Sequence, residues 1–256
     1  MTDSAHTDSD LKTATNVFEM IETVREHDGV GVTELAEELG MAKSTVHGYL
    51  TTIEHAGYLV KEDGQYRLSL KYLDHGIYKR SQIISWDVVS QTLKQLSDET
   101  SEIAWFTVEE NGRALDIYRS EGDRAITVET WLGQAKPMHA LAAGKAILGF
   151  SGDEFVRDVV DTHGLEAFTE NTITEKSELL AELETVREEG VAVNDEEYTA
   201  GIRSVGAPVI NDGEVLGAVN LSGPAHRMKG GRFREEFPDL LLSAANEIEL
   251  KLQARN

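Results

Sequence analysis

The stretch LGMAKSTVHGYLTTI, residues 39–53, decides the fold of the N-terminal part of the chain. Its apolar residues Val46, Leu50 and Ile53 recur at the spacing of one helix face, and the glycine at its second position supplies a turn. We therefore predict a helix over Ala42–Ala56 that begins directly after a tight turn. This arrangement is typical of a helix-turn-helix, whose second helix contacts DNA.

The segments on both sides complete the pattern of a winged helix-turn-helix. Upstream, Leu11–His27 carries apolar residues at helical spacing, and Thr33 is the predicted N-cap of a second, short helix. Downstream, Tyr58–Lys61 and Gln65–Leu68 have the composition of strands and flank an Asp-Gly pair that favours a hairpin. The residues of the first helix predicted to face the core are Ala14, Val17, Phe18, Ile21 and Val24.

The same stretch has the chemistry of a DNA-reading surface. It contains no acid, whereas 46 of the 256 residues of the chain are Asp or Glu. Its lysine, histidine and hydroxyl side chains suit phosphates and base edges. The alternative is a solvated helix that merely lacks acids, but the order of the predicted helices favours a DNA-binding role. The residues predicted to contact DNA are Lys43, Ser44, Thr45, His47, Gly48, Tyr49 and Thr52 on the helix, with Lys61 and Arg67 on the wing.

The remainder of the chain predicts an α+β domain with an antiparallel sheet, because helices alternate with short strands and hairpin turns. We expect a disordered acidic tail over residues 1–10, a winged helix-turn-helix over 11–69, a connecting helix within 70–80 and the second domain over 81–256. The strands predicted in the second domain are 103–108, 115–118, 125–128, 191–194, 204–210 and 214–221. The helices predicted from the connecting helix onward are 70–78, 83–100, 140–150, 153–162, 175–189 and 237–254.

The composition excludes several classes of protein. The chain has no cysteine, which excludes disulfide scaffolds, thiolate zinc sites, iron–sulfur clusters and cysteine-based catalysis. The first ten residues contain no apolar run, and no segment approaches the roughly 20 apolar residues of a membrane span. We therefore expect a soluble, cytoplasmic protein without a membrane partner.

The charge balance is strongly acidic, with 46 acids against 24 bases and a formal net charge of −22. The acids are spread over the whole chain. This distribution indicates adaptation to high salt, where self-repulsion is screened, rather than a protein that avoids polyanions. A DNA-binding patch is consequently expected to be local.

Other patterns are interpreted as structural, and no catalytic residue, metal site or cofactor is predicted. Gly144-Lys145 lacks the spacing of a phosphate-binding loop, and Ser222 lacks the elbow motif of serine hydrolases. Asp195-Glu196-Glu197 is expected to be a solvated strand end, because consecutive strand residues point to opposite faces. Residues predicted to pack in the core, cap a helix or wall a pocket are Trp105, Trp131 and His139.

Three motifs together resemble the IclR-type transcription regulators. The first is GMAKSTVHGYL at residues 40–50, followed by IEHAGYL at 53–59. The second is PMHALAAGKAIL at 137–148. The third is a series of short matches, REEG at 187–190, DEE at 195–197, GIRS at 201–204, AP at 207–208 and LSGP at 221–224. The resemblance covers nearly the whole chain from Leu11 onward, in order and spacing.

The resemblance implies a homodimer or homotetramer that binds double-stranded operator DNA, with a GAF-like C-terminal domain that binds a small effector. In the family, a helix N-terminus lines the pocket, and its free N–H groups suit a carboxylate. Asn194 stands where relatives that bind keto acids can carry an acid, which favours a more hydroxylated ligand such as a sugar acid. The effector-binding residues implied are Ala142, Ala143, Asn194, Ser204, Asn220 and Ser222.

Two functions of other classes stay open at this stage. One is an enzyme built on a GAF-like domain with the winged helix as an accessory, which substrate turnover would reveal. The other is a dimerisation or scaffolding protein, which would show no ligand-induced shift in stability. The absence of cysteine and of a recognisable catalytic constellation makes the regulator the favoured interpretation.

Overall fold

The computed structural model describes residues 11–125 and 130–254 and divides the chain into two compact units, Met1–Lys79 and Arg80–Asn256. The predicted acidic tail lies outside the described residues. So does most of the strand predicted over residues 125–128, of which only Ala125 is described.

In the described residues of the first unit up to Leu68, three helices are followed by a two-stranded hairpin. These elements are α1 (Lys12–Glu26), α2 (Val32–Glu38), α3 (Lys43–His55), β1 (Leu59–Glu62) and β2 (Gln65–Leu68). The strands pair antiparallel, with Glu62 opposite Gln65, so that Asp63 and Gly64 alone form the turn. Both turn residues have positive φ (50° and 83°), which is the backbone of a type I′ hairpin turn. Helix, helix, turn, helix and hairpin therefore occur in the predicted order.

Two details of the first unit differ from the prediction. Thr33 lies inside α2, and Gly31 occupies the N-cap position without a side-chain hydrogen bond. Phe18 is 67% exposed, whereas Met20 and Val24 of the same helix are buried. Ala14 is exposed as well, so the buried face of α1 is rotated from the predicted one.

Helix α4 (Lys71–Ile83) follows the hairpin and crosses the boundary between the units. It extends five residues beyond the predicted end at Tyr78. Every residue of α4 is at least partly exposed, including Leu73 (57%) and Ile77 (48%). The helix thus carries apolar surface that the chain itself leaves uncovered.

Over its described residues, the second unit forms a six-stranded antiparallel sheet in the order β5-β4-β3-β8-β7-β6. Its strands are β3 (Ile103–Glu110), β4 (Arg113–Glu121), β5 (Ala135–Pro137), β6 (Ala192–Asp195), β7 (Ile202–Asn211) and β8 (Glu214–Pro224). Its helices are α5 (Trp86–Thr100), α6 (Ala142–Phe150), α7 (Asp153–His163), α8 (Lys176–Glu189) and α9 (Phe237–Gln253). Sequence reasoning missed β5 and the π-helical turn Arg232–Glu236 before α9.

Helices cover both faces of this sheet, and strand alternation assigns each side chain to one of them. Alternate residues of β3, Ala104, Phe106 and Val108, pack with α5 and α9 in one core. A second core on the opposite face packs α6, α7 and α8, and it includes Ala114 of β4 and Ala192 of β6. The N-terminal end of α6 meets the sheet on this second face.

A β-bulge on β4 decides which of its side chains face this second side. Phe106 pairs with Tyr118 and Thr107 pairs with Asp116, so that Ile117 is the extra residue. Ile117 and Tyr118 both join the core under α5 and α9. Asp116 is therefore free to turn to the other face of the sheet, which bears the site described next.

Candidate functional site

The residues predicted to read DNA lie on the outer face of α3. Val46, Leu50 and Ile53 are buried and fix the inner face of the helix in the core of the first unit. The helix begins after Ala42 without a side-chain cap, so backbone N–H groups of its first turn remain available to a phosphate. The exposed members of the predicted set on α3 are Lys43, Ser44, Thr45, His47, Gly48 and Thr52.

Hydrogen bonds within α3 orient two of these side chains. His47 Nδ1 lies 3.0 Å from Thr51 Oγ1, which leaves the Nε2 edge of the ring to face a partner. Thr52 Oγ1 donates to the carbonyl of Gly48 (2.8 Å), so its hydroxyl offers an acceptor outward. The outer face of α3 therefore presents donors and acceptors in defined directions.

Of the three other members of the predicted set, Tyr49 and Arg67 are held by hydrogen bonds within the first unit, whereas Lys61 is not. Tyr49 is half-buried, and its hydroxyl accepts a hydrogen bond from Asn16 of α1 (3.3 Å). Arg67 is bonded to the carbonyl and the carboxylate of Asp28, which reduces its charge toward a phosphate. Lys61 on β1 is exposed, with its ammonium 5.0 Å from the ring centroid of Tyr66. Lys61 is thus the free cation of the predicted wing.

The residues predicted to bind an effector all line one cavity of about 370 Å³ in the second unit. It lies between the N-terminal end of α6 and the sheet. The strands contribute amide and hydroxyl side chains, and α6 contributes backbone. The predicted residues that the structure brings together there are Ala142, Ala143, Asn194, Ser204, Asn220 and Ser222.

Close packing with β7 places the start of α6 against this cavity. A methyl group on Gly206 would lie 3.0 Å from both the carbonyl carbon of Ala142 and the nitrogen of Ala143. Glycine at this strand position therefore permits the helix end to approach the sheet. The first N–H groups of a helix have no intrahelical acceptor, so α6 presents a partly positive end on the cavity side.

A chain of hydrogen bonds crosses the cavity floor and includes residues that sequence reasoning missed as site residues. Ser222 Oγ donates to Asn220 (3.4 Å), whose Nδ2 donates to Thr107 Oγ1 (2.9 Å). Thr107 donates to Asp116 Oδ1 (2.6 Å), and Lys136 Nζ pairs with Oδ2 of the same carboxylate. The signal that the sequence offers for such residues is polar side chains at inward-facing positions of neighbouring strands.

Apolar side chains form the remaining wall. Trp105, predicted to be core or pocket wall, is buried and lines the cavity together with Ile103 and Ile202. Trp131, given the same role, is 57% exposed, so that prediction was wrong. Trp131 lies within residues 130–134, which form no helix or strand and do not place its side chain in a core.

The prediction of a solvated strand end at residues 195–197 fails for Glu197. Its side chain is buried and paired with Lys145 of α6 at 2.8 and 3.0 Å. Lys145 is also bonded to Glu182 (2.9 Å), so it is a structural cation rather than a phosphate ligand. Burial raises the pKa of the Glu197 carboxyl, and the Lys145 ammonium opposes that rise. Glu196 has positive φ (62°), which breaks the strand alternation assumed from the sequence.

His139 is packed just before α6. Its Nε2 lies 3.0 Å from the carbonyl oxygen of Glu166, and its ring lies against Phe168. Burial lowers the pKa of His139, and the Glu166 carbonyl acts in the opposite direction. Its burial and hydrogen bond fit the packing role predicted for it.

Comparison with known families matches both units. A family model described as the IclR helix-turn-helix domain matches residues 13–63. A second, described as the C-terminal domain of the bacterial transcriptional regulator IclR, matches residues 78–250. The chain belongs to the IclR family. It is therefore a transcription regulator with a helix-turn-helix DNA-binding domain, and the expected fold class is confirmed.

Relatives of this IclR-family chain cover almost its full length. The probable HTH-type transcriptional regulator ArcR of Halobacterium salinarum is 32% identical over 243 residues, 93% of this chain and 92% of its own. The crystal structure of Thermotoga maritima IclR matches with a TM-score of 0.78 and 29% identity, covering 94% of this chain and 98% of that one. An IclR homologue from Microbacterium hydrocarbonoxydans, solved with 4-hydroxybenzoate, shares the fold (TM-score 0.80, 18% identity, 94% and 99% covered).

Two further properties concern the described parts of this IclR-family chain. Over residues 11–125 and 130–254, no group of three or more His, Asp or Glu side chains is placed to hold a metal ion. None of the helices within those ranges is long and apolar enough to cross a membrane.

Proposed function

We propose that a small carboxylate bound in the cavity of the second unit controls operator binding by α3 of the first unit. The observation that carries this proposal is the convergence of a helix N-terminus, amide and hydroxyl side chains and apolar walls on one cavity. Cavities of this kind, mostly apolar with a few placed polar groups, are typical of small-molecule sites.

The polar groups favour a ligand that brings acceptor oxygens. The N–H groups of Ala142 and Ala143 at the start of α6 suit a carboxylate. Asn194 Oδ1 already accepts the backbone N–H of Glu197 (2.8 Å), so its amide nitrogen is the end offered to a ligand. Hydroxyls of Ser204 and Ser222 complete the polar side. A hydroxylated acid or a keto acid meets these groups, and the 4-hydroxybenzoate bound by the Microbacterium relative is also a carboxylate.

On the DNA side, we assign base and phosphate contacts to the outer face of α3. Lys43 at its first turn reaches phosphate, and His47 with its free Nε2 edge reaches the major groove. Lys61 contacts backbone from the wing. Tyr49 and Arg67 support the fold around this surface, because their polar groups are engaged within the first unit.

We further propose that the chain acts as a homodimer or a pair of dimers in the cytoplasm, on a roughly palindromic operator. Paired subunits present paired reading helices, and a two-fold axis in the protein requires one in the DNA. The exposed apolar residues of α4, including Leu73 and Ile77, supply surface for such pairing. Because α4 joins the two units, pairing through it offers a route by which ligand binding changes the spacing of the reading helices.

The test uses DNA from upstream of the chain's own gene, titrated by fluorescence anisotropy with and without carboxylates. Lys43→Ala and His47→Ala are expected to weaken operator binding by about 1–3 kcal/mol while leaving ligand binding intact. Lys94→Ala removes the same charge from the exposed face of α5 and is the matched control for Lys43→Ala. Wild-type affinity in both α3 variants would show that the reading surface lies elsewhere.

We also propose that the cavity binds its ligand without converting it. The charged groups on its floor, Asp116 and Lys136, hold each other, and His139 is bonded to a backbone carbonyl. Ligand recovered unchanged by mass spectrometry after prolonged incubation would agree with this. A converted product would support the enzyme alternative instead.

A further inference from the structure

The cavity floor contains an ion pair whose role goes beyond holding a carboxylate at α6. The side chains of Asp116 and Lys136 are only 6% and 11% exposed. Lys136 Nζ pairs with one carboxylate oxygen, and Thr107 donates to the other (2.6 Å). Among the described residues that line the cavity, these two carry the full charges. Their formal charges cancel, so this part of the lining is neutral.

The sheet register holds this pair inside the cavity. Lys136 on β5 pairs with Ala114, and Asp116 lies two residues further on the same face of β4. The Lys136 ammonium lies 5.7 Å from the ring centroid of Trp105, another wall residue. An ammonium has three N–H donors, so bonding to Asp116 leaves donors for a ligand oxygen. The pair is thus a polar contact point without net charge.

We propose that Asp116 and Lys136 restrict the ligand of the cavity to a single negative charge. This inference rests on the proposed effector function of the cavity. One carboxylate is met by the partly positive end of α6. A second anionic group would approach an ammonium that Asp116 already neutralises, and it would be repelled by that carboxylate. Since an unbalanced charge beside such largely buried side chains is costly, the cavity selects monoacids over diacids and phosphate esters. Lys136 then donates to a hydroxyl or carbonyl oxygen of the monoacid.

The test varies ligand charge on a constant skeleton. One series is glucitol, gluconate and glucarate, and a second is 4-hydroxybenzamide, 4-hydroxybenzoate and terephthalate. Within each series the compounds carry no, one and two carboxylates. Dissociation constants are measured by calorimetry at neutral pH for the wild type, Asp116→Asn, Lys136→Gln and the double variant. Thermal unfolding without ligand establishes that each variant is folded.

The expected order of affinities follows the charge of the lining. The wild type binds a monoacid at least about tenfold more tightly than the matching diacid. Asp116→Asn leaves the Lys136 charge unopposed, so the diacid gains at least about tenfold relative to the monoacid. Lys136→Gln weakens binding of both acids, and the double variant, neutral again, returns to the wild-type preference. A merely structural role for the pair would not move the preference between acids.

Two results would contradict different claims. Equal binding of monoacid and diacid by the wild type, or an unchanged order in folded Asp116→Asn, overturns the charge rule and leaves the effector function standing. Failure of all six probes to bind the wild type and Asp116→Asn counts against the cavity as a carboxylate site, and against the charge rule with it. If the single variants unfold, the charge rule is judged from the wild type alone, by whether it binds the monoacid more tightly than the matching diacid.

Discussion

Gly48 lies on the proposed DNA-reading face of α3 and has a cost to the helix. A Cβ added at this position would meet open space, so packing does not require glycine there. Glycine inside a helix is less favourable than alanine by about 0.5–1 kcal/mol. The chain therefore carries an unfavourable residue in the middle of the predicted reading face, and we expect its missing side chain to let DNA approach the backbone.

Gly48→Ala is expected to change stability and DNA binding in opposite directions. Urea unfolding should show a gain of about 0.5–1 kcal/mol, because alanine favours the helix. Operator affinity should fall by about tenfold, because the methyl group occupies the approach to the backbone. Gly231→Ala, at a glycine of the second unit with helical backbone angles and open space, is the control and should leave operator affinity unchanged. A stabilised Gly48→Ala protein with full operator affinity would remove Gly48 from the DNA-binding set.

At the same scale, sequence reasoning located side chains well where regular structure continued and poorly where it ended. Glu197 was assigned to solvent because strand alternation was extended past β6, yet positive φ at Glu196 turns the chain and buries the carboxylate at Lys145. Asp116 was overlooked because only the bulge at Ile117 reveals which face it occupies. A single bulge or turn is a local backbone event that side-chain periodicity does not encode.

At the scale of elements, the packing contact between α6 and β7 positions the groups that line the cavity. Gly206 lets the start of α6 approach the strand, and Ser204 on the same face of β7 lines the cavity. The position of the helix end relative to the strand hydroxyls is therefore fixed by backbone packing. Six cavity residues were implied by family resemblance, but their convergence depends on this contact, which a sequence pattern does not display.

Gly206→Ala is expected to weaken binding of the monoacid and destabilise the second unit. The new methyl group would lie 3.0 Å from backbone atoms of Ala142 and Ala143, and overpacking of this kind costs about 1–3 kcal/mol. Displacement of α6 moves its N–H groups from the ligand, so affinity should fall several-fold beyond any change in fraction folded. Gly231→Ala, with open space and helical backbone angles, is the control and should keep ligand affinity and lose no stability. Unaltered ligand affinity in folded Gly206→Ala would argue against α6 as the carboxylate-binding end.

The elements themselves were predicted unevenly. Long periodic helices such as α5 and α9 were found within three residues of their ends, because apolar spacing persists over several turns. Strand β5 was missed because it has only three residues, including a proline, and pairs at the sheet edge. The π-helical turn before α9 was missed because its sequence, RFREE, has no distinctive period.

At the scale of the whole molecule, the net charge of −22 repels DNA phosphate, whereas the lysines of the proposed reading surface attract it. Phosphate contacts made by lysine release counterions from DNA, which makes affinity fall with salt. The proposed surface offers Lys43 and Lys61 as free cations in each subunit, since Arg67 is held by Asp28. The acidic remainder of the protein repels phosphate and favours uptake of cations at the complex, which offsets part of that release.

The salt dependence of operator binding is therefore expected to be shallow. In the proposed dimer, two lysines per subunit give at most about four phosphate contacts, so log K against log[KCl] should have a slope no steeper than about −4. Lys43→Ala, which removes one contact per subunit, should make the slope shallower by about 2, whereas Lys94→Ala should leave it unchanged. The measurement is fluorescence anisotropy with the operator over a wide range of KCl. A slope near −8 or steeper would mean that cations outside α3 and the wing contact DNA, and the reading surface would then extend beyond these elements.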